Sequence, residues 1–167
     1  MTIQTIIKYP NSSLKEICVP VTDFDDEEFN TLVVDLLETA KVYKAQGLAA
    51  NQIGGRFRVF VTRVDDKGAY KVFVNPELKL EGDIVPSKEG CLSFPGDTVL
   101  VERPEECTVT AKDVDGKEFT LFTDDVESVA IQHETDHLDG VLVTERISRF
   151  TKRYFLRKVK KHNKMYA

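Results

Sequence analysis

The stretch 128-SVAIQHETDHLDG-140 decides the fold, because it sets two metal-binding side chains at helical spacing. His133 and His137 are four residues apart, so on an α-helix both imidazole rings lie on one face and can point at a common atom. Glu134 lies next to that face, within reach of a metal-bound water. Two of the chain's three histidines at this spacing around a glutamate indicate a helical metal-hydrolase site rather than a chance pair of surface histidines.

The helix that carries this stretch is predicted to run from about residue 124 to residue 138. Thr123 or Asp124 can cap its N-terminus, and Gly140 follows where a helix stop is expected. Its apolar stripe is formed by Val126, Val129 and Ala130.

The remaining elements are predicted from periodicity and turn residues. Helices are expected at 25–44, capped by Asp25, and at about 148–162. Strands are expected at 58–64, at 70–76, at 77–82 and in a hairpin over 108–122 with its turn at Asp115-Gly116. Strands in the middle of the chain with helices at its ends, one of them central to the chemistry, predict an α+β fold.

The third metal ligand is not obvious from the sequence. A catalytic zinc-like site usually has three protein ligands and leaves one position for water. A histidine six residues after the second would complete one known pattern, but position 143 is Val143. A glutamate on a later helix is another known ligand, and no carboxylate side chain follows Glu145. His162 lies in a basic run near the end of the chain, a poor place for a precise ligand, so the third ligand is expected upstream.

The cysteines supply the upstream candidates. Cys91, in the turn-rich segment 88-KEGCLSFPG-96, is favoured, and Cys18 after an early loop remains an alternative. Cys107 lies in a strand-like run where a small apolar core residue is expected. The odd number and wide spacing of these cysteines argue against a disulfide framework and favour reduced thiols in the cytoplasm.

Length and composition limit the class of protein. A chain of 167 residues, 41% apolar and 31% charged, predicts one domain over 1–167 with a core of ordinary size. No apolar run approaches the roughly 18 residues of a membrane span, and no secretory signal is visible. We therefore expect no membrane association, and a monomer by default.

Three segments, in this order, resemble the signature motifs of the peptide deformylase family: 47-GLAANQIG-54, 89-EGCLS-93 and 132-QHETDHLDG-140. The similarity extends over nearly the whole chain. It implies an α+β fold with mixed or antiparallel sheets around the metal-binding helix, and an enzyme that removes the formyl group from the N-terminal formyl-methionine of newly synthesised polypeptides. One divalent ion would be held by Cys91, His133 and His137, with Fe²⁺ expected in vivo and Zn²⁺, Ni²⁺ or Co²⁺ possible.

The resemblance also implies a mechanism. The ion lowers the pKa of its bound water, and the hydroxide attacks the formyl carbon. Glu134 acts as general base and then as general acid. The side-chain amide of Gln52 and the backbone N–H of Leu92 stabilise the oxyanion.

Further residues of the three motifs are expected to contact the substrate. Gly47 and Gly90 would pair with the peptide backbone, because no side chain obstructs its approach. Leu48, Ile131 and His133 would help to line the pocket for the methionine side chain, although Leu48 and Ile131 fit an ordinary core role as well.

Three other features bear on the resemblance. Glu89 matches a family glutamate that pairs with a downstream arginine, here Arg103, as charged support behind the motif; an ordinary surface pair is the alternative. Ala45 stands where the first motif commonly has another glycine, and Thr98 where many bacterial members have an arginine. Contacts with the far end of the peptide are therefore expected to differ from those of other members.

The charge distribution points to a partner. Residues 146–167 contain nine Lys/Arg and no Asp or Glu, whereas the other 145 residues contain 14 basic and 28 acidic ones. In some bacterial members of the family the C-terminal helix docks on the ribosome near the exit tunnel, and a basic helix over 148–167 suits ribosomal RNA. A solvated helix face that complements the acidic body is the alternative.

Two other functions compete with deformylation. A metallopeptidase cutting internal peptide bonds is disfavoured by the missing downstream ligand and the short chain. A catalytically inactive, deformylase-like metal-binding protein is disfavoured because Glu134, Gln52 and Cys91 are all present.

Overall fold

The computed structural model describes residues 3–63 and 69–165. Within them, an antiparallel five-stranded sheet has its strands side by side in chain order. The strands are β1 (Gly47–Ala49), β2 (Val59–Arg63), β3 (Tyr70–Gly90), β4 (Thr98–Lys112) and β5 (Glu118–Thr123). The helices are α1 (Glu27–Tyr43), α2 (Asp125–Leu138) and α3 (Arg149–Met165). The predicted α+β class is confirmed.

Helix α1 begins two residues later than predicted. Its cap is Asp26, whose carboxylate accepts a hydrogen bond from the backbone N–H of Phe29 at 2.9 Å. The predicted cap, Asp25, instead donates its own N–H to the side chain of Asp23. Asp26 fits because a cap side chain must reach the N–H three residues ahead, where the apolar periodicity of the helix begins.

The strands predicted at 70–76 and 77–82 form one strand, β3, that continues to Gly90. Its register with β4 shifts between Val74 and Glu77 and again between Glu81 and Ile84, so the irregular residues are absorbed as bulges. Pro86 is tolerated because β2 pairs only with 70–74, which leaves this part of β3 with a partner on one side alone. The extension carries the chain directly into the segment that contains Cys91.

The other strand predictions largely hold. Strand β2 matches the predicted 58–64, of which Val64 lies outside the described residues. The predicted hairpin is formed by β4 and β5, and its turn residue Gly116 has a positive φ of 80°. The short edge strand β1 was not predicted, since three residues are too few for a period-2 pattern to be recognised.

Helix α2 is the buried element of the fold. Every residue from 130 to 138 is buried, and the helix lies against the sheet near β1, β2 and β4. It ends as predicted, with Gly140 at a positive φ of 69°. Asp124 occupies the cap position but makes no side-chain cap hydrogen bond.

Helix α3 extends three residues beyond its predicted end and buries only Phe155 and Val159. These side chains join a second apolar cluster with Phe94 and Leu142, separate from the main core between α1, the sheet and α2. The aromatic rings of Phe94 and Phe155 are 5.8 Å apart. None of the helices in the described part of the chain has the length and apolar character needed to cross a membrane.

Candidate active site

The end of β3 and the buried helix α2 bring three metal-binding side chains together. The ligand atoms of Cys91, His133 and His137 all lie within 4.8 Å of one another. The Cys91 Sγ atom is 3.3 Å from the Nε2 atom of His137. Cys18 is buried elsewhere, where its backbone N–H donates to the carbonyl of Leu138, so Cys91 is the cysteine candidate that the fold brings beside the two histidines.

A buried carboxylate orients one of the two imidazoles. The Nδ1 atom of His133 is 2.8 Å from Glu89 Oε2, which leaves Nε2 to face the cluster. Glu89 is held in turn by Arg103, through Nε at 2.6 Å and a second guanidinium nitrogen at 3.1 Å. Both side chains are buried, so this is not an ordinary surface pair. A carboxylate behind a histidine ligand fixes the tautomer and the ring orientation.

The pKa values of the two histidines are shifted in opposite directions. Burial and the positive charge of His133 lower the pKa of His137 well below its usual value. Burial also acts to lower the pKa of His133, but the neighbouring Cys91 and Glu89 raise it well above the usual value. Burial acts to raise the pKa of Glu89, yet hydrogen bonds from His133 and Arg103 lower it to about 2. Glu89 is therefore ionised, and His137 is held in the neutral form that binds metals.

The donor set fits a divalent transition-metal ion. One sulfur and two imidazole nitrogens at this spacing match a three-ligand catalytic site, and such ligands suit Fe²⁺, Zn²⁺, Co²⁺ and Ni²⁺. Hard ions such as Mg²⁺ prefer oxygen ligands and are not matched. The predicted Cys/His/His group is thus brought together as a site that could bind one metal ion.

Glu134 lies beside this group on the wall of a cleft. Burial raises the pKa of its carboxyl to about 7, and its Oε2 atom has no hydrogen-bond partner among the described residues. A Cβ atom at Gly47 would collide with the Glu134 carboxylate. The glycine at position 47 is therefore needed to admit the glutamate, a reason that the sequence did not reveal.

The side chain of Gln52 is fixed in one orientation. Its Oε1 atom accepts the backbone N–H of Ala49 at 2.9 Å, and its Nε2 atom donates to Ser93 Oγ at 3.1 Å. The same nitrogen lies 3.5 Å from Cys91 Sγ. The amide nitrogen of Gln52 therefore lies beside the metal-binding group, and Leu92 lines the same cleft.

The cleft has a volume of about 530 Å³ and contains most of the predicted substrate residues. Gly47, Gly90 and His133 line it, together with Leu92 and Glu134. Its apolar wall comes from Val126, Val129 and Ala130, which the sequence had marked only as a helix stripe. They lie seven, four and three positions before His133, respectively, and this spacing places them on the same face of the helix as His133.

Leu48 and Ile131 do not reach the cleft. Both are fully buried in the main core. Leu48 follows Gly47 in a strand, where successive side chains point to opposite faces, and Ile131 precedes His133 by two positions, which on a helix is the far side. The core role stated for them as the alternative is the one that the structure shows.

The sequence and the architecture match known proteins along most of the chain. The family model described as polypeptide deformylase matches residues 3–153. The chain belongs to this family. A peptide deformylase of Pelagibacter ubique is 39% identical over 96% of this chain and 95% of its own length. Peptide deformylase 1 of Pseudomonas syringae is 37% identical with both chains fully covered.

Solved structures of peptide deformylases have the same fold. The enzyme from Legionella pneumophila superposes with a TM-score of 0.92 at 34% identity, covering 99% of this chain and 98% of that one. The enzyme from Ehrlichia chaffeensis in complex with actinonin has a TM-score of 0.89 at 30% identity, covering 97% and 98%. Peptide deformylases remove the formyl group from nascent peptides by metal-dependent hydrolysis, and the Cys/His/His group described above is consistent with that chemistry.

Proposed function

We propose that this chain is an active, single-domain peptide deformylase of the cytoplasm that acts as a monomer on N-formylmethionyl nascent peptides. The observation that carries the proposal is the convergence of Cys91, His133 and His137 beside the buried Glu134 in one cleft. Three protein ligands leave one coordination position open for water, which is typical of a catalytic site, whereas a structural site is usually closed by a fourth protein ligand.

Cys91, His133 and His137 would hold one divalent ion, Fe²⁺ in the cell, with Zn²⁺, Ni²⁺ or Co²⁺ able to replace it. When bound, such an ion acidifies a coordinated water and polarises the formyl carbonyl. Glu89 supports this set by fixing the ring of His133, and Arg103 supports Glu89.

Glu134 would manage the protons of the reaction. Its carboxylate takes a proton from the attacking water and gives it to the departing amine, first as general base and then as general acid. The burial that raises its pKa to about 7 suits both steps, because a group with a pKa near the operating pH can accept and release a proton.

Gln52 and Leu92 would stabilise the negative charge that develops on the formyl oxygen. The Nε2 group of Gln52 is held toward Cys91, so it needs no reorganisation when the charge appears. The backbone N–H of Leu92, directly after Cys91 in the chain, supplies the second donor. One such donor is typically worth about 10²–10³ in rate.

The substrate would bind in extended form across the cleft. Gly47 lies in the edge strand β1 and Gly90 at the end of β3, so a peptide can add its backbone between them. The methionine side chain would enter the apolar wall of Val126, Val129 and Ala130. Leu48 and Ile131 would support this wall from the core rather than contact the substrate.

The test of this proposal is formate release from formyl-Met-Ala-Ser by protein prepared without oxygen and loaded with Ni²⁺. We expect turnover that falls by about 10²–10⁴ in Glu134→Ala. Cys91→Ser should lose the metal, whereas the matched control Cys18→Ser should keep both metal and activity. Stoichiometric metal without turnover would overturn the proposal, and cleavage of an internal bond of an unformylated peptide would favour a metallopeptidase.

The same proposal assigns a partner to α3, namely the ribosome near its exit tunnel. Most basic residues of α3 are exposed. Among the described residues of this helix, Lys158 forms an ion pair with the body of the protein, through Asp97 at 2.8 Å. We expect Arg153→Glu/Arg157→Glu to abolish co-sedimentation with ribosomes at low salt. The control Lys8→Glu/Lys117→Glu makes the same charge change at exposed positions elsewhere. Equal binding by both variants would remove the ribosome from the proposal.

A further inference from the structure

A continuous line of ion pairs runs from the metal-binding group to the surface of the molecule. Behind the pair of Glu89 and Arg103, a third guanidinium nitrogen of Arg103 donates to Asp136 Oδ2 at 2.8 Å. Asp136 also receives Arg146, whose Nε atom is 3.0 Å from Oδ2 and whose terminal nitrogen bonds Oδ1. Only the last member reaches solvent: the side chain of Arg146 is 46% exposed, and that of Arg103 is 4% exposed.

Arg103 is shared between two carboxylates. It uses two nitrogens on Glu89 and one on Asp136, so its position depends on both partners. With Arg146 present, the four side chains carry two negative and two positive charges. Without it, a single guanidinium must serve both carboxylates in a buried place, where an uncompensated charge is costly.

We propose that Arg146, acting through Asp136 and Arg103, is a positioning residue for the metal ligand His133. The inference rests on the proposed metal site and goes beyond it, because Arg146 lies outside all three sequence motifs and touches neither the cleft nor the ligands. Arg146 neutralises Asp136, which leaves Arg103 free to clamp Glu89, and Glu89 then holds the ring of His133 with its Nε2 atom toward the cluster.

The expected effect is on how tightly the ion is held. Loss of a direct partner of a ligand usually costs about 10- to 100-fold in metal affinity. Arg146 acts through further links and is partly exposed, so we expect its loss to accelerate metal release by about 3- to 10-fold, below that range. The KM for the peptide should not change, because Arg146 does not line the cleft.

Arg58 provides a matched control. It lies on the same face as Arg146 and pairs with Asp139 just after α2, but its partner is not connected to a metal ligand by any ion pair in the described part of the chain. Its side chain is even less exposed, at 19%. A general loss of stability from breaking an arginine ion pair on this face should therefore be at least as large in Arg58→Met.

The experiment measures the rate at which the Co²⁺-loaded protein loses its ion to excess chelator, together with the Co²⁺ absorption spectrum. We expect Arg146→Met to release Co²⁺ faster and to shift the spectrum, Arg146→Lys to lie between it and the wild type, and Arg58→Met to behave as wild type. An unchanged release rate in Arg146→Met, or equal acceleration in Arg58→Met, would overturn the inference. Should Arg146→Met not fold, Arg146→Lys decides, since wild-type release by this variant would also overturn it. Failure of the wild type to bind one Co²⁺ would instead refute the proposed metal site.

Discussion

At the scale of single residues, the two glycines of the cleft differ in what they make possible. Gly47 leaves the space that the Glu134 carboxylate occupies, whereas a Cβ at Gly90 would meet only Thr98 Cγ2, at an ordinary 3.5 Å. The sequence predicted the same role for both, contact with the substrate backbone. The need for a glycine at position 47 is visible only in the folded chain, because it arises from the close approach of β1 to Glu134 on α2.

This difference gives the first prediction. Gly47→Ala should lower kcat by about 10² or more, because Glu134 must move from its working position, and displacements of about 1 Å cost that much. Gly90→Ala should leave kcat within a few-fold of wild type. Steady-state kinetics on formyl-Met-Ala-Ser test both, with metal content as the check on folding. Equal losses of kcat would contradict the separate roles.

The buried thiol of Cys18 predicts how stability depends on pH. Burial raises its pKa from 9.0 to about 11. Between these values the unfolded chain has released the thiol proton and the folded chain has not, so stability falls as pH rises through this window. At pH 10.5 the loss from this one group amounts to about 2 kcal/mol.

Urea unfolding at pH 8 and pH 10.5 checks the effect of Cys18. Cys18→Ala removes the group, so the difference in unfolding free energy between the two pH values should be about 2 kcal/mol smaller in the variant than in wild type. Other groups that titrate in this range are common to both proteins and cancel. The same pH dependence in both would show that Cys18 keeps its ordinary pKa when folded.

At the scale of elements, the sequence identified the helices better than the long strand. The apolar period of α1, and the apolar stripe and glycine stop of α2, were sufficient for this, although the cap of α1 is Asp26 rather than Asp25 and Asp124 makes no cap hydrogen bond. Strand β3 contains Pro76, Gly82 and Pro86, which normally end strands. Its continuity comes from pairing with β4, a long-range contact that no local pattern records, and this continuity places Cys91 opposite α2.

Helix α3 is docked onto the wall of the cleft through Gly96. This residue has a positive φ of 96°, and a Cβ there would lie 2.5 Å from the side chain of His162. Gly54 has a similar φ of 85°, but a Cβ there would make only an ordinary van der Waals contact, with Ile7 Cδ1 at 3.8 Å. Alanine at Gly54 would therefore introduce backbone strain alone, whereas alanine at Gly96 would introduce the same strain and a clash with α3.

The prediction for α3 uses this pair. Gly54→Ala and Gly96→Ala should both lower the free energy of unfolding by about 1 kcal/mol, because alanine is strained in a left-handed backbone conformation. Gly96→Ala alone should release α3 and increase hydrogen exchange of its backbone amides by about tenfold or more. Hydrogen exchange measured over residues 149–165 in both variants provides the test. Protection of α3 equal to wild type in Gly96→Ala would mean that His162 can move aside at little cost.

At the scale of the whole molecule, the sequence was most informative where chemistry restricts the residue types. The three motifs were sufficient to predict the Cys/His/His group, which the fold brings together, and the family, which the comparisons confirm. They were insufficient for the surroundings of the group: the sequence did not mark Val126, Val129 and Ala130 as a wall of the cleft, and it left Leu48 and Ile131 open between the pocket and the core. Which side chain faces a cleft depends on how α2 packs on the sheet, and that packing involves residues far apart in the sequence.

The proposed ligands also connect parts of the fold that are otherwise joined by packing alone. Cys91 follows the last residue of β3, and His133 and His137 lie on α2, so an ion bound to all three links the sheet to the central helix. A ligand that binds only the folded state stabilises it by RT ln(1 + [L]/Kd), which is about 4 kcal/mol at 1,000 times Kd. Removal of the metal should therefore lower the melting temperature of this 167-residue chain by roughly 10 °C.

The Cys91→Ser variant distinguishes stabilisation by an ion bound at this site from a general effect of metal ions on the protein. Melting curves with and without saturating Co²⁺ should differ strongly for wild type and for Cys18→Ser, and only slightly for Cys91→Ser, because a serine hydroxyl is a poor ligand for a soft site. The metal-free forms of wild type and Cys91→Ser should melt close together, since Cys91 is only half-buried, whereas metal-free Cys18→Ser should melt lower because it places a hydroxyl in the main core. A melting temperature of wild type that is independent of Co²⁺ would contradict the linkage between β3 and α2, even if the ion binds.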